Sequence, residues 1–182
     1  YTLIKDNVIF AKTNWIRNQI YNNHGVFVQK VTPSIDENIY YPRTIINNCK
    51  KIIFAMIRPK TPRRGAHRTM SILKEIKEKY SKSVEIHIFG CEDISLENEN
   101  LERDFEFKNH GILKRIEVAK LASKSDIFID LSDYQAFGRT GLEAMASGCI
   151  SILPTEGGSD EYVVNGENSF QIDSINDRGK LI

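Results

Sequence analysis

Five basic side chains crowd the stretch "RPKTPRRGAHR" (58–68): Arg58, Lys60, Arg63, Arg64 and Arg68. Guanidinium forks match phosphate oxygens with paired hydrogen bonds, so this stretch could clamp a phosphate. The alternative is a solvated basic turn, held open by Pro59 and Pro62. A helical pattern begins at once, and the amino end of a helix already carries roughly +0.5 charge. Cations gathered there repel the dipole and one another unless an anion joins them. A second stretch, "SDYQAFGRTGLEAMASGC" (132–149), turns through Gly138 and Gly141, which let backbone N–H groups approach a ligand closely. Within it Glu143 lies among Leu142, Ala144, Met145 and Ala146, a setting in which a carboxylate needs a partner. One turn inside a phosphate-binding helix terminus, it could accept both hydroxyls of a ribose. It could equally pair with Arg58 or Arg64. A third stretch, "PTEGGSDEY" (154–162), repeats the order of strand, glycine pair and a short helix, 159–165, capped by Ser159. Neither G-x-G-x-x-G nor a Walker A sequence occurs.

The elements that must position these loops alternate along the chain. "KIIFAMI" (51–57), "VEIHIFG" (84–90), "FEFKNHG" (105–111), "DIFIDLS" (126–132), "CISILP" (149–154) and "NSFQID" (168–173) read as strands. Ala66, Met70, Leu73, Ile76 and Tyr80 recur at helical spacing, and "ILKRIEVAKLASKS" (112–125) reads as a second helix. "CEDISLENENLERD" (91–104) is expected to be a polar loop. Apolar strands alternating with amphipathic helices predict an α/β fold, a Rossmann-like parallel sheet with helices on both faces. Such sheets bind ligands outside the carboxyl ends of their strands, where all three glycine or arginine loops would fall.

Bulk properties narrow the function classes. The 182 residues suffice for one domain with a substantial core, at 41% hydrophobic and 27% charged. A net charge of +1 provides no long-range field for nucleic acid or an anionic membrane, so no nucleic-acid partner is expected and any basic site is local. Cys49, Cys91 and Cys149 are scattered without a C-x-x-C pair, arguing for a reducing compartment and against a zinc site. No apolar run approaches the roughly 18–20 residues that span a bilayer. The expected location is the cytoplasm or the inner face of the membrane. The start, "YTLIKDNVIF", opens mid-pattern without a methionine and reads as a cut edge.

"QAFGRTGLEAMASG" (135–148) resembles the glutamate-x7-glutamate region of family 4 retaining glycosyltransferases of the GT-B fold, whose usual form is E-x-F-G-x-x-x-x-E-A-M-A-x-G. Arg58 and Arg64 are spaced like that family's arginine and lysine, with arginine at the lysine position. "PTEGGSDEYVVNGENSFQID" (154–173) resembles the G-G-x-x-E-x-V-x-x-G-x-N-G segment, and "VTPSIDENIYYP" (31–42) the linker P-x-G-x-D-x-x-x-F-x-P. The resemblance spans roughly residues 31–173. It implies that residues 36–182 are the nucleotide-sugar-binding half of a GT-B fold. Residues 1–35 would be the tail of the acceptor domain with the interdomain linker.

The resemblance further implies that Glu143 binds the donor ribose and that Arg58 and Arg64, beside Gly65, hold the diphosphate. The backbone of Phe137, Gly138, Arg139 and Thr140 would line sugar and phosphate, and the nucleobase would lie against His110 to Leu113, including Ile112. Gln135 stands where the family has its first glutamate, in contact with the transferred sugar. Arg58, Arg64 and Gln135 are thus the candidates at the reacting centre. The reaction implied is transfer of a hexosyl or deoxyhexosyl group from a nucleoside diphosphate sugar to a glycan or lipid-linked acceptor, with retention, in polysaccharide or glycan synthesis. No Asp-x-Asp pair occurs, so no metal or cofactor is expected. The competing readings are a non-catalytic nucleotide- or anion-binding module and a sugar-phosphate enzyme of the same fold, such as a phosphorylase or epimerase.

Overall fold

A computed structural model describes residues 7–42 and 49–173. It opens with a short strand β1 (Phe10–Ala11), helix α1 (Asn14–His24) and strand β2 (Gln29–Lys30), which pairs parallel with β1 in a sheet of its own. Helix α1 is well framed: the Thr13 side chain caps its start, and Gly25, in the left-handed region, ends it.

The main body is β3 (Lys51–Met56), α2 (Ala66–Tyr80), β4 (Val84–Phe89), α3 (Asp93–Asn98), β5 (Lys108–Asn109), α4 (Arg115–Ala122), β6 (Ile127–Ile129), α5 (Arg139–Ala146), β7 (Ile150–Pro154) and β8 (Phe170–Ile172). Its six strands are all parallel, in the order β5-β4-β3-β6-β7-β8. Two apolar clusters sandwich the sheet. One joins Ile53, Ala55, Ile86 and Ile88 to Met70, Leu73 and Ile76 of α2. The other joins Phe54 and Phe128 to Leu121 of α4 and Ala144 of α5. The sheet is therefore Rossmann-like, with helices on both faces, as the alternation of strands and helices predicts.

Several local expectations need correction. Residues 93–98 form a helix, anchored by the fully buried Leu96, rather than a polar loop. The strand expected over 105–111 pairs only at Lys108 and Asn109, because the sheet ends there. The helix expected over 159–165 is a single 3-10 turn, Ser159–Glu161. Ser159 does not cap it, since its hydroxyl donates to Pro154 O at 3.2 Å.

Strand order sets the site. From β3 the chain proceeds outward through β4 and β5, then returns to β6 and proceeds the other way. The loops leaving β3 and β6 consequently diverge over opposite faces, opening a crevice at their carboxyl ends. Those loops carry Arg58 to Gly65 and Asp130 to Gly138.

Candidate functional site

The two loops meet at a buried carboxylate. Asp130 follows β6 directly, and its side chain is almost fully covered. Its Oδ1 accepts the Ser132 backbone N–H at 3.0 Å and the Ser132 hydroxyl at 2.5 Å. Its Oδ2 accepts Gln135 Nε2 at 2.6 Å and Arg64 Nη1 at 3.3 Å. Ser132 Oγ also accepts Gln135 Nε2 at 2.9 Å. Asp130 is thus tied to both Arg64 and Gln135, which lie on separate loops far apart in the chain. Burial pushes the Arg64 guanidinium below its usual pKa; Asp130 opposes that shift, and the charges of Arg63 and Arg58 add to it.

Not all five basic residues face a ligand. Arg68 donates twice to Leu131 O, at 3.0 and 2.7 Å, and pairs with Asp133 at 2.6 Å. Arg63 lies over the Tyr134 ring at 5.2 Å, and Tyr134 stacks on Trp15 at 5.4 Å. Countercharge is therefore present at the loop, contrary to the sequence pattern alone. Arg58 and Lys60 have no ion-pair partner among the described residues. Both line a cleft of about 290 Å³ with Gly90, Glu92 and Ile112.

Two glycines make the crevice possible. Gly65 has φ +60°, and a Cβ there would stand 2.5 Å from Leu131 O, so only glycine lets the two loops touch. Gly138 has φ +76°, and a Cβ would meet the Tyr162 hydroxyl at 2.6 Å, the group that donates to Gly138 O. Gly138 heads α5 without a side-chain cap. The leading N–H groups of Arg139, Thr140 and Gly141 lack intrahelical acceptors and are open to an anion. The Phe137 ring is turned inward against Tyr162, at 5.3 Å between centroids, so only its backbone can line the crevice.

The partner of Glu143 is neither Arg58 nor Arg64. The groups that act on its carboxylate are the Tyr40 hydroxyl and the charges of Arg139 and Arg115. Arg115 lies 5.5 Å over the Tyr40 ring and pairs with Asp36 at 3.4 Å. Burial raises the Glu143 pKa despite these partners, and burial with the Glu143 charge raises that of Tyr40. The reason the ion-pair alternative fails is geometric: Arg64 is committed to Asp130.

His110 also departs from expectation. Its Nε2 meets His87 Nδ1 at 3.0 Å, and both rings line a different cleft, of about 430 Å³, with Lys108 and Lys120. Of the stretch expected at the nucleobase, Ile112 borders the Arg58 cleft and is 71% exposed. The third glycine loop heads no long helix; Gly157 forms a bridge with Gln135 and so braces the second loop. Asp130, Ser132 and Tyr40 were not singled out by pattern. A charge inside "DIFIDLS" was the available signal for Asp130, whereas Tyr40 in "VTPSIDENIYYP" carried none.

The sequence model of glycosyl transferases group 1 matches residues 42–178, more than half of the chain. TarM of S. aureus, solved with UDP bound, superposes at a TM-score of 0.75 with 18% identity, covering 94% of this chain and 34% of that one. HepE of Anabaena, solved with UDP-glucose, superposes at 0.71 with 17% identity, covering 96% and 52%. Sucrose synthase 5 of Arabidopsis thaliana is 36% identical over 56 residues, 31% of this chain and 7% of that protein. The chain thus spans about half or less of these relatives. It belongs to the glycosyl transferases group 1 family and has the Rossmann-like fold of one half of the GT-B fold.

Proposed function

We propose that this chain is the donor-binding half of a retaining glycosyltransferase that takes a nucleoside diphosphate sugar. The observation that carries the reading is convergence at the strand-order switch. Arg64 from the β3 loop, Gln135 from the β6 loop and the uncapped start of α5 meet at one crevice. Arg58 borders the adjoining cleft. Arg58, Arg64 and the N–H groups of Arg139, Thr140 and Gly141 would hold the diphosphate. Ile112 would support the base and Glu143 the ribose, beside the Tyr40 hydroxyl. As the glycosidic bond breaks, charge grows on the departing diphosphate, and preorganised cations with helix N–H groups stabilise it. Among the described residues no carboxylate at the crevice is free to act as covalent nucleophile. Asp130 is saturated by four contacts, and Gln135 is an amide. This favours assistance by the leaving phosphate on the same face.

On this reading residues 36–182 form the donor domain, residues 1–35 belong to the acceptor side, and neither metal nor cofactor takes part. The acceptor is a glycan or lipid-linked hydroxyl bound by the other half. The test is thermal shift and titration calorimetry with UDP-, dTDP-, GDP- and ADP-linked sugars beside their parent diphosphates. Saturable binding of at least one pair is expected. A chain that binds none of them overturns the reading.

A further inference from the structure

The Asp130–Gln135 contact has a consequence for how the donor sugar is held, resting on the function proposed above. Gln135 donates through Nε2 to two acceptors, Asp130 Oδ2 at 2.6 Å and Ser132 Oγ at 2.9 Å. An ionised carboxylate can only accept, so Asp130 dictates which end of the amide faces it. Both protein contacts of the amide use nitrogen. The opposite atom, Gln135 Oε1, has no hydrogen-bond partner, and no buried side-chain N or O among the described residues lacks one. Oε1 is therefore not fully sealed, although Gln135 as a whole is only 6% exposed.

We propose that Asp130 is the positioning residue of the donor site. It fixes the Gln135 amide with Oε1 outward, as an acceptor for a hydroxyl of the bound sugar, and holds Arg64 against the diphosphate. The negative charge that a carboxylate at position 135 would bring is supplied from behind, by position 130. The same geometry explains the amide. A glutamate at position 135 would set a second carboxylate where Nε2 now lies, at hydrogen-bond distance from Asp130. Two carboxylates in contact repel each other until acidification supplies the proton that one of them then holds. Ser132 completes the arrangement by satisfying Oδ1, which leaves Oδ2 for Gln135 and Arg64. Asp130 itself touches no ligand atom; it acts through its two neighbours.

The test compares wild type with Asp130→Asn, Gln135→Glu and the double variant, using the sugar nucleotide of the panel that wild type binds and its parent diphosphate. The readout is the dissociation constant of the parent diphosphate divided by that of the sugar nucleotide, a ratio that isolates the sugar contact and falls when that contact is lost. Asp130→Asn should weaken both ligands about tenfold through the loosened Arg64. Gln135→Glu should lower the ratio at neutral pH and recover on acidification, when the shared proton is supplied. The double variant should restore the ratio, because the amide now at position 130 can donate to the carboxylate now at position 135, and one negative charge remains in the pair. A double variant that folds but binds no better than Gln135→Glu overturns the proposal. So does a Gln135→Glu ratio within about twofold of wild type at every pH, the scatter expected of uncoupled sites. Wild type that binds neither class of ligand overturns both this proposal and the function on which it rests. Wild-type binding with unresponsive variants overturns this one alone.

Discussion

Replacing Arg64 with alanine should separate two roles that the structure gives one side chain. Arg64 is half-buried, at 16% side-chain exposure, and its Nη1 pairs with an Asp130 carboxylate at 8%. Removing it strips one donor from a buried charge, an act that costs about 3–5 kcal/mol where the charge is left alone. Here three donors remain, two from Ser132 and one from Gln135. The loss should therefore fall to about 1–3 kcal/mol, close to that of one charged hydrogen bond. For a domain of this size that is a melting temperature lower by roughly 3–10 °C. The ligand effect is separate. A guanidinium on a diphosphate supplies charge-assisted hydrogen bonds, so affinity should drop by about 10- to 150-fold. Arg64→Lys should recover part of the affinity as a point charge and less of the stability. Calorimetric titration at a temperature where every variant is folded reads the first quantity, and a melting scan the second. Unchanged affinity for the diphosphate, in a variant that melts lower, would show that Arg64 serves Asp130 only and that the anion lies elsewhere.

Further outcomes are expected. Glu143→Gln should weaken ribonucleotide binding, and should weaken it more than 2′-deoxyribonucleotide binding if both hydroxyls are held; equal affinities would make Glu143 a partner of Tyr40 alone. The same variant should also affect stability. Burial raises the Glu143 pKa above 4.5, so its ionisation costs folding energy above the raised value and nothing below the ordinary one. The variant should melt as high as wild type or higher at neutral pH, with the gain vanishing on acidification; a constant deficit would refute this. His87 and His110 have pKa values lowered by burial, with Lys108 adding to both and Glu85 opposing at His87. Their contribution to stability is present above pH 6.5 and lost as pH falls, so His110→Gln should blunt the decline in melting temperature below that point. Donor binding should survive excess chelator, and strict dependence on magnesium or manganese would contradict the site. This chain alone should bind donor without rapid transfer, since acceptor positioning can supply roughly 7–11 kcal/mol of the barrier. Fast transfer to an acceptor would place the acceptor site within these residues.

Much of the fold was legible because its signals are local. Continuous apolar runs such as "KIIFAMI" are what a strand buried on both faces requires, and β3 appears at Lys51–Met56 as that rule dictates. The α2 pattern was equally plain, since Ala66, Met70, Leu73 and Ile76 are all buried. The α3 helix escaped notice because one apolar residue, Leu96, suffices to anchor six residues, too few to show a period. At the site, which loops matter followed from chemistry: arginines and glycines at strand ends. Which side chains meet did not. Glu143 on α5 and Arg64 on the β3 loop belong to the first two candidate stretches, yet one faces Tyr40 and the other Asp130. Side-chain direction within a loop depends on contacts distant in sequence, and spacing carries no trace of it. His110 shows the same limit. Its neighbour Ile112 borders the Arg58 cleft while the imidazole itself is paired with His87.

The position of Gln135 depends on more than its own loop. Thr13 caps α1 and, fully buried, also donates to Ala136 O at 3.1 Å. Trp15 stacks on Tyr134 and its indole N–H donates to Glu156, whose backbone oxygen accepts the Gln135 N–H at 3.2 Å. Both residues flanking Gln135 are therefore gripped by α1, from the segment whose sequence resembles the acceptor side. Glu161 extends the same contact, accepting the Asn14 N–H at 2.6 Å and pairing with Lys30 at 2.8 Å. Asp130 braces the amide from within the sheet, and α1 fixes the backbone that carries it. A displacement of α1 would then act first on Tyr134 and Ala136, and through Tyr134 on Arg63, the neighbour of Arg64. On the function proposed above, the residues flanking the sugar contact would thus be held by α1, and the amide itself by Asp130.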